Sequence, residues 1–81
     1  MKPALYIVAT PIGNREDISL RAIDVLKKVD IIACENTRHS LQLLSVLGIK
    51  KKLITLHQHN EKEKARLIAN LIEGNKSVAY I

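Results

Sequence analysis

Eighty-one residues suffice for one small domain, and 47% hydrophobic with 26% charged residues excludes a collagen-like or low-complexity chain. Thirteen Lys and Arg against eight Asp and Glu leave a net charge of +5, which suits a solvated basic surface or a polyanionic partner such as RNA. Two Tyr without Phe or Trp argue against an aromatic platform that stacks single-stranded RNA. Cys34 is the single cysteine, so the chain has no internal disulfide framework, and its apolar neighbours mark it as a small buried hydrophobe. The first apolar run is broken at Pro11, too short for a secretory core segment and far too short to span a bilayer, so no membrane role and a cytoplasmic setting are expected.

Four apolar runs recur along the chain. Their strands begin near Leu5, Asp30, Lys52 and Ser77, spaced by 25, 22 and 25 residues. That interval holds one crossover helix, so the spacing predicts repeated βαβ units. The runs are near-continuous rather than alternating, as in strands buried on both faces. Between them, the first helix is predicted over about Ser19 to Lys28, capped by Asp17 or Ser19, with a stripe of Ala22, Val25, Leu26 and Val29. The second starts from an Asn36 or Thr37 cap, turns Leu41, Leu44 and Leu47 inward, and stops at Gly48. Asn60 with Glu63 reads as a capping box for the third, whose stripe is Ala65, Ile68, Ala69 and Ile72 before a Gly74-Asn75 terminator. The expected fold is α/β and three-layered: a mainly parallel four-stranded sheet with helices on both faces.

Three of the strand ends carry clustered polar side chains. Thr10-Pro11-Ile12-Gly13-Asn14 follows the first run, Glu35-Asn36-Thr37-Arg38-His39 the second, and His57-Gln58-His59-Asn60 the third. In open parallel sheets, ligands bind outside the carboxyl ends of the strands, so these loops would converge on one edge. The fourth run closes the sequence, and the chain therefore reads as a piece of an enzyme. Pro11 stiffens the first loop, Gly13 permits positive φ and Asn14 offers an amide, properties that suit a ligand loop and a plain turn alike. In the second, Arg38 is a fork for phosphate or carboxylate and Glu35 an acceptor for a substrate hydroxyl; the plainer reading pairs Arg38 with Glu35 and uses Asn36 and Thr37 as caps. His57 and His59 lie two apart, on one side of an extended segment, but match no common zinc spacing, so no metal is expected. Lys50-Lys51-Lys52 enters a strand at the opposite edge and reads as solvated surface.

The run Leu-Tyr-Ile-Val-Ala-Thr-Pro-Ile-Gly-Asn at 5–14 resembles the opening signature of the tetrapyrrole methylase superfamily, in its ribosomal RNA small subunit methyltransferase I branch. Glu16-Asp17-Ile18, Arg21-Ala22, Glu35-Asn36-Thr37-Arg38-His39 and His57-Gln58-His59-Asn60-Glu61 continue the pattern over essentially the whole chain. Two positions depart from it: Asn36 stands where relatives commonly have Asp, and Arg15 where they usually have an apolar residue. The resemblance implies an S-adenosylmethionine-dependent methyltransferase acting on the 2′-hydroxyl of a cytidine ribose in small-subunit ribosomal RNA. It also implies that residues 1–81 are an N-terminal α/β domain, preceding further cofactor-binding sequence and a C-terminal domain, and inactive alone. The expected cofactor contacts are the backbone around Pro11 and Ile12, and the proton acceptor is Glu35, His57 or His59. Thr10, Gly13, Asn14, Thr37, Arg38 and Asn60 are the expected substrate contacts, with ribosomal RNA and the small ribosomal subunit as partners and a homodimer or self-association as the assembly. Two other readings are a small-molecule methyltransferase on the same fold, against which the 10–14 loop argues, and a non-catalytic basic module for RNA or a protein partner.

Overall fold

The computed structural model describes residues 1–10, 17–56 and 61–81. Its elements run β1 (Leu5–Ile7), α1 (Leu20–Lys28), β2 (Ile31–Cys34), α2 (Thr37–Leu47), β3 (Lys52–Thr55), α3 (Glu61–Glu73) and β4 (Val78–Tyr80). All four strands are parallel, in the order β1-β4-β2-β3. The last strand therefore inserts between the first two, and β2 and β4 form the doubly flanked centre. Their residues Ile32, Ala33, Cys34, Val78 and Ala79 are completely shielded from solvent, which is why these runs are apolar at every position.

The pleat divides the core in two. Ile32 and Ala79 pack with Ala22, Leu26, Val29 and Leu44 beneath α1 and α2, whereas Ile31, Ala33, Ile54 and Val78 pack with Ile68 of α3 on the opposite face. The crossovers through α1 and α2 step away from β1 along the sheet and the one through α3 steps back, so a constant crossover hand puts α3 on the other face. The three-layer expectation holds.

Local chemistry sets the helix ends. The Ser19 hydroxyl accepts from Ala22 N–H at 3.0 Å and caps α1, and the Asn36 amide oxygen accepts from His39 N–H at 3.1 Å and caps α2. Gly48 ends α2 with φ +70°. After α3 the left-handed residue is Asn75 at φ +67°, not Gly74. The stripe of α2 also differs from expectation. Leu43 and Leu44 are both buried and Leu41 is half exposed, because the inward row is Ser40, Leu43, Leu44 and Leu47, whose first member is polar. On α3 the packed row is Ile68, Leu71 and Ile72, with Ala65 and Ala69 exposed. The Asn60 cap expected for this helix lies outside the described residues.

At the amino ends of the strands a reciprocal clamp joins β2 to β4. Ser77 donates its N–H and its hydroxyl to the Asp30 carboxylate at 2.9 and 3.1 Å, while Asp30 N–H donates to the Ser77 carbonyl at 3.0 Å. The Ser77 N–H, then its hydroxyl, hold the Asp30 carboxyl below its ordinary value against a smaller opposing effect of burial, and the charges of Lys76 and Lys51 help. A carboxyl depressed on folding contributes stability above its unfolded value, about 3.9, and loses it as pH falls through the folded value. Wild-type Tm should therefore drop as pH falls below about 4, and Asp30→Asn should flatten that part of the profile. Parallel Tm curves for the two proteins between pH 6 and pH 2.5 would exclude the clamp as the source.

Candidate functional site at the carboxyl edge of the sheet

The ladder carries each strand to the edge where the polar loops begin. Val8 N–H donates to Tyr80 O at 2.9 Å, Ile81 N–H to Ala33 O at 3.0 Å, and Leu56 N–H to Cys34 O at 2.7 Å. These bonds fix Thr10, Glu35, Thr55 and Tyr80 on one rim, as expected of a parallel sheet.

Glu35 follows β2, and its carboxylate Oε1 accepts from the Tyr80 hydroxyl at 2.6 Å. That short bond to a carboxylate is of the strong, charge-assisted kind. It spans 45 residues of sequence and exists because β4 lies beside β2. Tyr80 stands on the α3 side of the sheet, its ring beside Leu56 and Ile68, with its polar tip at the rim. The carboxylate is solvent-exposed, one oxygen is held, and the other faces no partner among the described residues. Such a group can accept a proton from a hydroxyl brought to it.

Beside it, Thr37 Oγ1 and Thr55 Oγ1 are 2.7 Å apart, linking the first turn of α2 to the end of β3. One of these hydroxyls donates to the other, which leaves the donor's oxygen able to accept and the acceptor's proton able to be donated. Arg38 occupies the next position on α2 and is exposed, at a helix N-terminus whose dipole favours anions. The plainer pairing of Arg38 with Glu35 is absent; among the described residues the ion pair is Lys28–Asp24 at 3.0 Å on α1. Asn36, read at first as part of the polar cluster, is committed to its cap.

Of the sequence-derived site residues, Thr10, Glu35, Thr37 and Arg38 lie on this rim. Pro11, Ile12, Gly13, Asn14, His57, His59 and Asn60 lie outside the described residues. Those described include no group of three or more His, Cys, Asp or Glu able to hold a metal ion. They include no helix long and apolar enough to cross a membrane. Two residues went unnoticed in the sequence, Tyr80 and Thr55. Each sits at the end of a strand run and carries a hydroxyl there, which is the signal that would have found them.

A doubly flanked parallel sheet with an acid, hydroxyls and a guanidinium along its carboxyl rim defines the class of α/β proteins that bind ligands outside their strand ends. Comparison with known proteins narrows this. The model of the Tetrapyrrole (Corrin/Porphyrin) Methylases matches residues 4–81, and the chain belongs to that family. It is 52% identical over 77 residues to a protein of Pasteurella multocida named ribosomal RNA small subunit methyltransferase I, covering 95% of this chain and 27% of that protein. The same name, identity and coverage apply to a relative from Haemophilus influenzae. A relative from Mycoplasmopsis pulmonis, again so named, is 53% identical over 77 residues, covering 95% of this chain and 35% of its own length. The chain thus spans about a quarter to a third of the relatives it matches.

Proposed function

We propose that the protein carrying this chain is a methyltransferase that modifies the 2′-hydroxyl of a cytidine ribose in small-subunit ribosomal RNA, with S-adenosylmethionine as donor, in the cytoplasm. The observation that carries the reading is identity of about one residue in two, over nearly the whole chain, to relatives named for that RNA. The rim is chemically suited to it. When bound, the donor supplies a methyl group on a sulfonium centre, and the protein's share is mostly positioning. Glu35, oriented by Tyr80, takes the proton that the ribose oxygen loses as its bond to carbon forms, a role for which His57 and His59 remain the other candidates. Thr37 and Thr55 offer hydroxyl oxygens to ribose or ammonium groups, and Arg38 offers a fork to phosphate. Pro11 and Ile12 are assigned to the donor by family pattern, and Thr10, Gly13, Asn14 and Asn60 to the substrate.

The domain arrangement follows the same logic: residues 1–81 serve as the N-terminal part of a larger protein whose remaining sequence completes the cleft. The recess beside the end of β1, lined by Ile7, Val8, Ala9, Ser19, Arg21 and Ala22, measures about 150 Å3. A full small-molecule site needs about 300–1,000 Å3. The isolated chain should therefore bind S-adenosylmethionine weakly, and titration calorimetry should show no saturation at micromolar concentrations; a micromolar Kd would refute the shared cleft. Self-association of the isolated chain belongs to the reading too. Leu5 and Ile7 of edge strand β1 are exposed at 42% and 75%, and they border an apolar groove of about 340 Å3 with Tyr80, Ala65 and Ile68. Light scattering should show mass rising with concentration, and a constant monomer mass would count against it.

The function is tested by joining residues 1–81 to the remainder of the Haemophilus influenzae relative and assaying methyl transfer to small-subunit ribosomal RNA. Activity within about tenfold of the relative's own is expected, given the shared residues. A folded but inactive chimera would contradict the assignment.

A further inference from the structure

Six of the nine lysines gather at the end of the sheet opposite the rim. Lys27 and Lys28 close α1, Lys50, Lys51 and Lys52 lead into β3, and Lys76 precedes β4. Because every strand is parallel, these helix-to-strand connections all emerge on the amino edge. Neighbouring strands are about 4.8 Å apart, so the entries to β3, β2 and β4 lie within about 10 Å of one another. Two of the nearby acids are engaged, Asp24 with Lys28 at 3.0 Å and the Asp30 carboxylate with both donors of Ser77, which leaves the exposed Glu73 at the end of α3 against the remaining lysines. Asp30 also feels the charges of Lys76 and Lys51, which brings the lysines of two separate connections into one field.

Complementing helix dipoles accounts for part of this cluster only. Lys27 and Lys28 lie in the last turn of α1. The last turns of α2 and α3 contain no basic residue; Lys50, Lys51, Lys52 and Lys76 lie beyond them. Lys51 is partly shielded and the other three are exposed. No aromatic side chain interrupts these connections, so the patch has the point charges that follow a phosphate backbone without the apolar anchors that seat a protein on a membrane interface.

We propose that the amino edge of the sheet, centred on Lys50, Lys51, Lys52 and Lys76, is a second RNA contact that holds the phosphate backbone of the substrate RNA remote from the methylated nucleotide. The proposal rests on the ribosomal RNA reading above and adds where that RNA is gripped. A lysine patch of this kind contributes affinity and salt dependence and reads no sequence. It lets a large RNA be retained while the carboxyl rim engages a single ribose.

The test uses the chimera of residues 1–81 with the remainder of the Haemophilus influenzae relative, a fluorescently labelled small-subunit ribosomal RNA transcript, and anisotropy titrations between 50 and 200 mM salt. One variant carries Lys50→Gln, Lys51→Gln and Lys76→Gln. A control removes the same charge from α3, with Lys62→Gln, Lys64→Gln and Arg66→Gln. Matched thermal melts exclude unfolding as the cause. Loss of three phosphate contacts should weaken binding on the order of tenfold and flatten the salt slope by about 2, with the control within about twofold of wild type. Equal losses in both variants would reduce the effect to net charge and overturn the proposal, as would a patch variant indistinguishable from wild type. A wild-type chimera that fails to bind the transcript at 50 mM salt would instead strike the ribosomal RNA reading itself. Binding to vesicles with anionic headgroups, lost in the patch variant and without RNA binding, would assign the edge to membranes and overturn the proposal.

Discussion

Leu26→Ala will destabilise the domain by about 3 kcal/mol and lower its Tm by about 12–24 °C. Leu26 is fully buried on α1, packed with Val8, Ile32, Leu44 and Ala79 where the first helix meets the sheet centre. Truncation removes its transfer free energy and leaves a cavity that the flanking β-strands are too constrained to fill. An 81-residue domain has a stability of about 4–12 kcal/mol, so this single change removes a large part of it. Leu20→Ala on the same helix is the matched control, because Leu20 is 86% exposed and should change stability by less than about 0.5 kcal/mol. Urea melts of both variants decide the matter. A Leu26→Ala cost below about 1 kcal/mol would mean that α1 is not docked as described.

The second large effect concerns chemistry. In the chimera with the Haemophilus influenzae relative, Glu35→Gln should reduce kcat for RNA methylation by about 10²-fold or more, since the amide cannot accept the ribose proton. Tyr80→Phe keeps the carboxylate and removes the 2.6 Å bond that orients it, so a smaller loss, on the order of tenfold, is expected. Arg38→Ala should act through KM for RNA with kcat little changed, in keeping with a phosphate contact. Rapid-quench single turnovers at saturating donor separate these outcomes. Undiminished turnover by Glu35→Gln would pass the proton-acceptor role to His57 or His59.

Much of this organisation is legible in the sequence, for definite reasons. β2 and β4 read as strands because both faces are buried, which forces runs such as Ile31-Ile32-Ala33-Cys34. Gly48 and the cap pairs Asp17 or Ser19 and Asn36 or Thr37 read as helix ends because their side chains, or the lack of one, satisfy specific backbone needs, and the structure selects Ser19 and Asn36. What escaped was set by tertiary structure. The insertion of β4 between β1 and β2 leaves no local trace, since strand order depends on which way each crossover turns. Without that order Tyr80 reads as one more apolar-run residue; with it, the phenol stands next to Glu35. Leu41 was mistaken for a core residue because Ser40, the polar start of the true inward row of α2, concealed the period. Ala65 and Ala69 fit an inward stripe, yet β1 beneath that part of the α3 face is left uncovered.

If this chain forms part of a ribosomal RNA ribose methyltransferase, its product carries a methyl group that changes how the RNA breaks in alkali. The chimera is incubated with small-subunit ribosomal RNA and donor tritiated in its methyl group, and the RNA is then hydrolysed in alkali. A methylated 2′-oxygen can no longer attack the adjacent phosphate, so ribose methylation leaves the label in alkali-stable dinucleotides. Tritium is expected in dinucleotides that begin with cytidine. Label recovered in mononucleotides would place the methyl group on a base, and a folded chimera that binds the RNA but leaves no label would rule out a ribosomal RNA methyltransferase altogether.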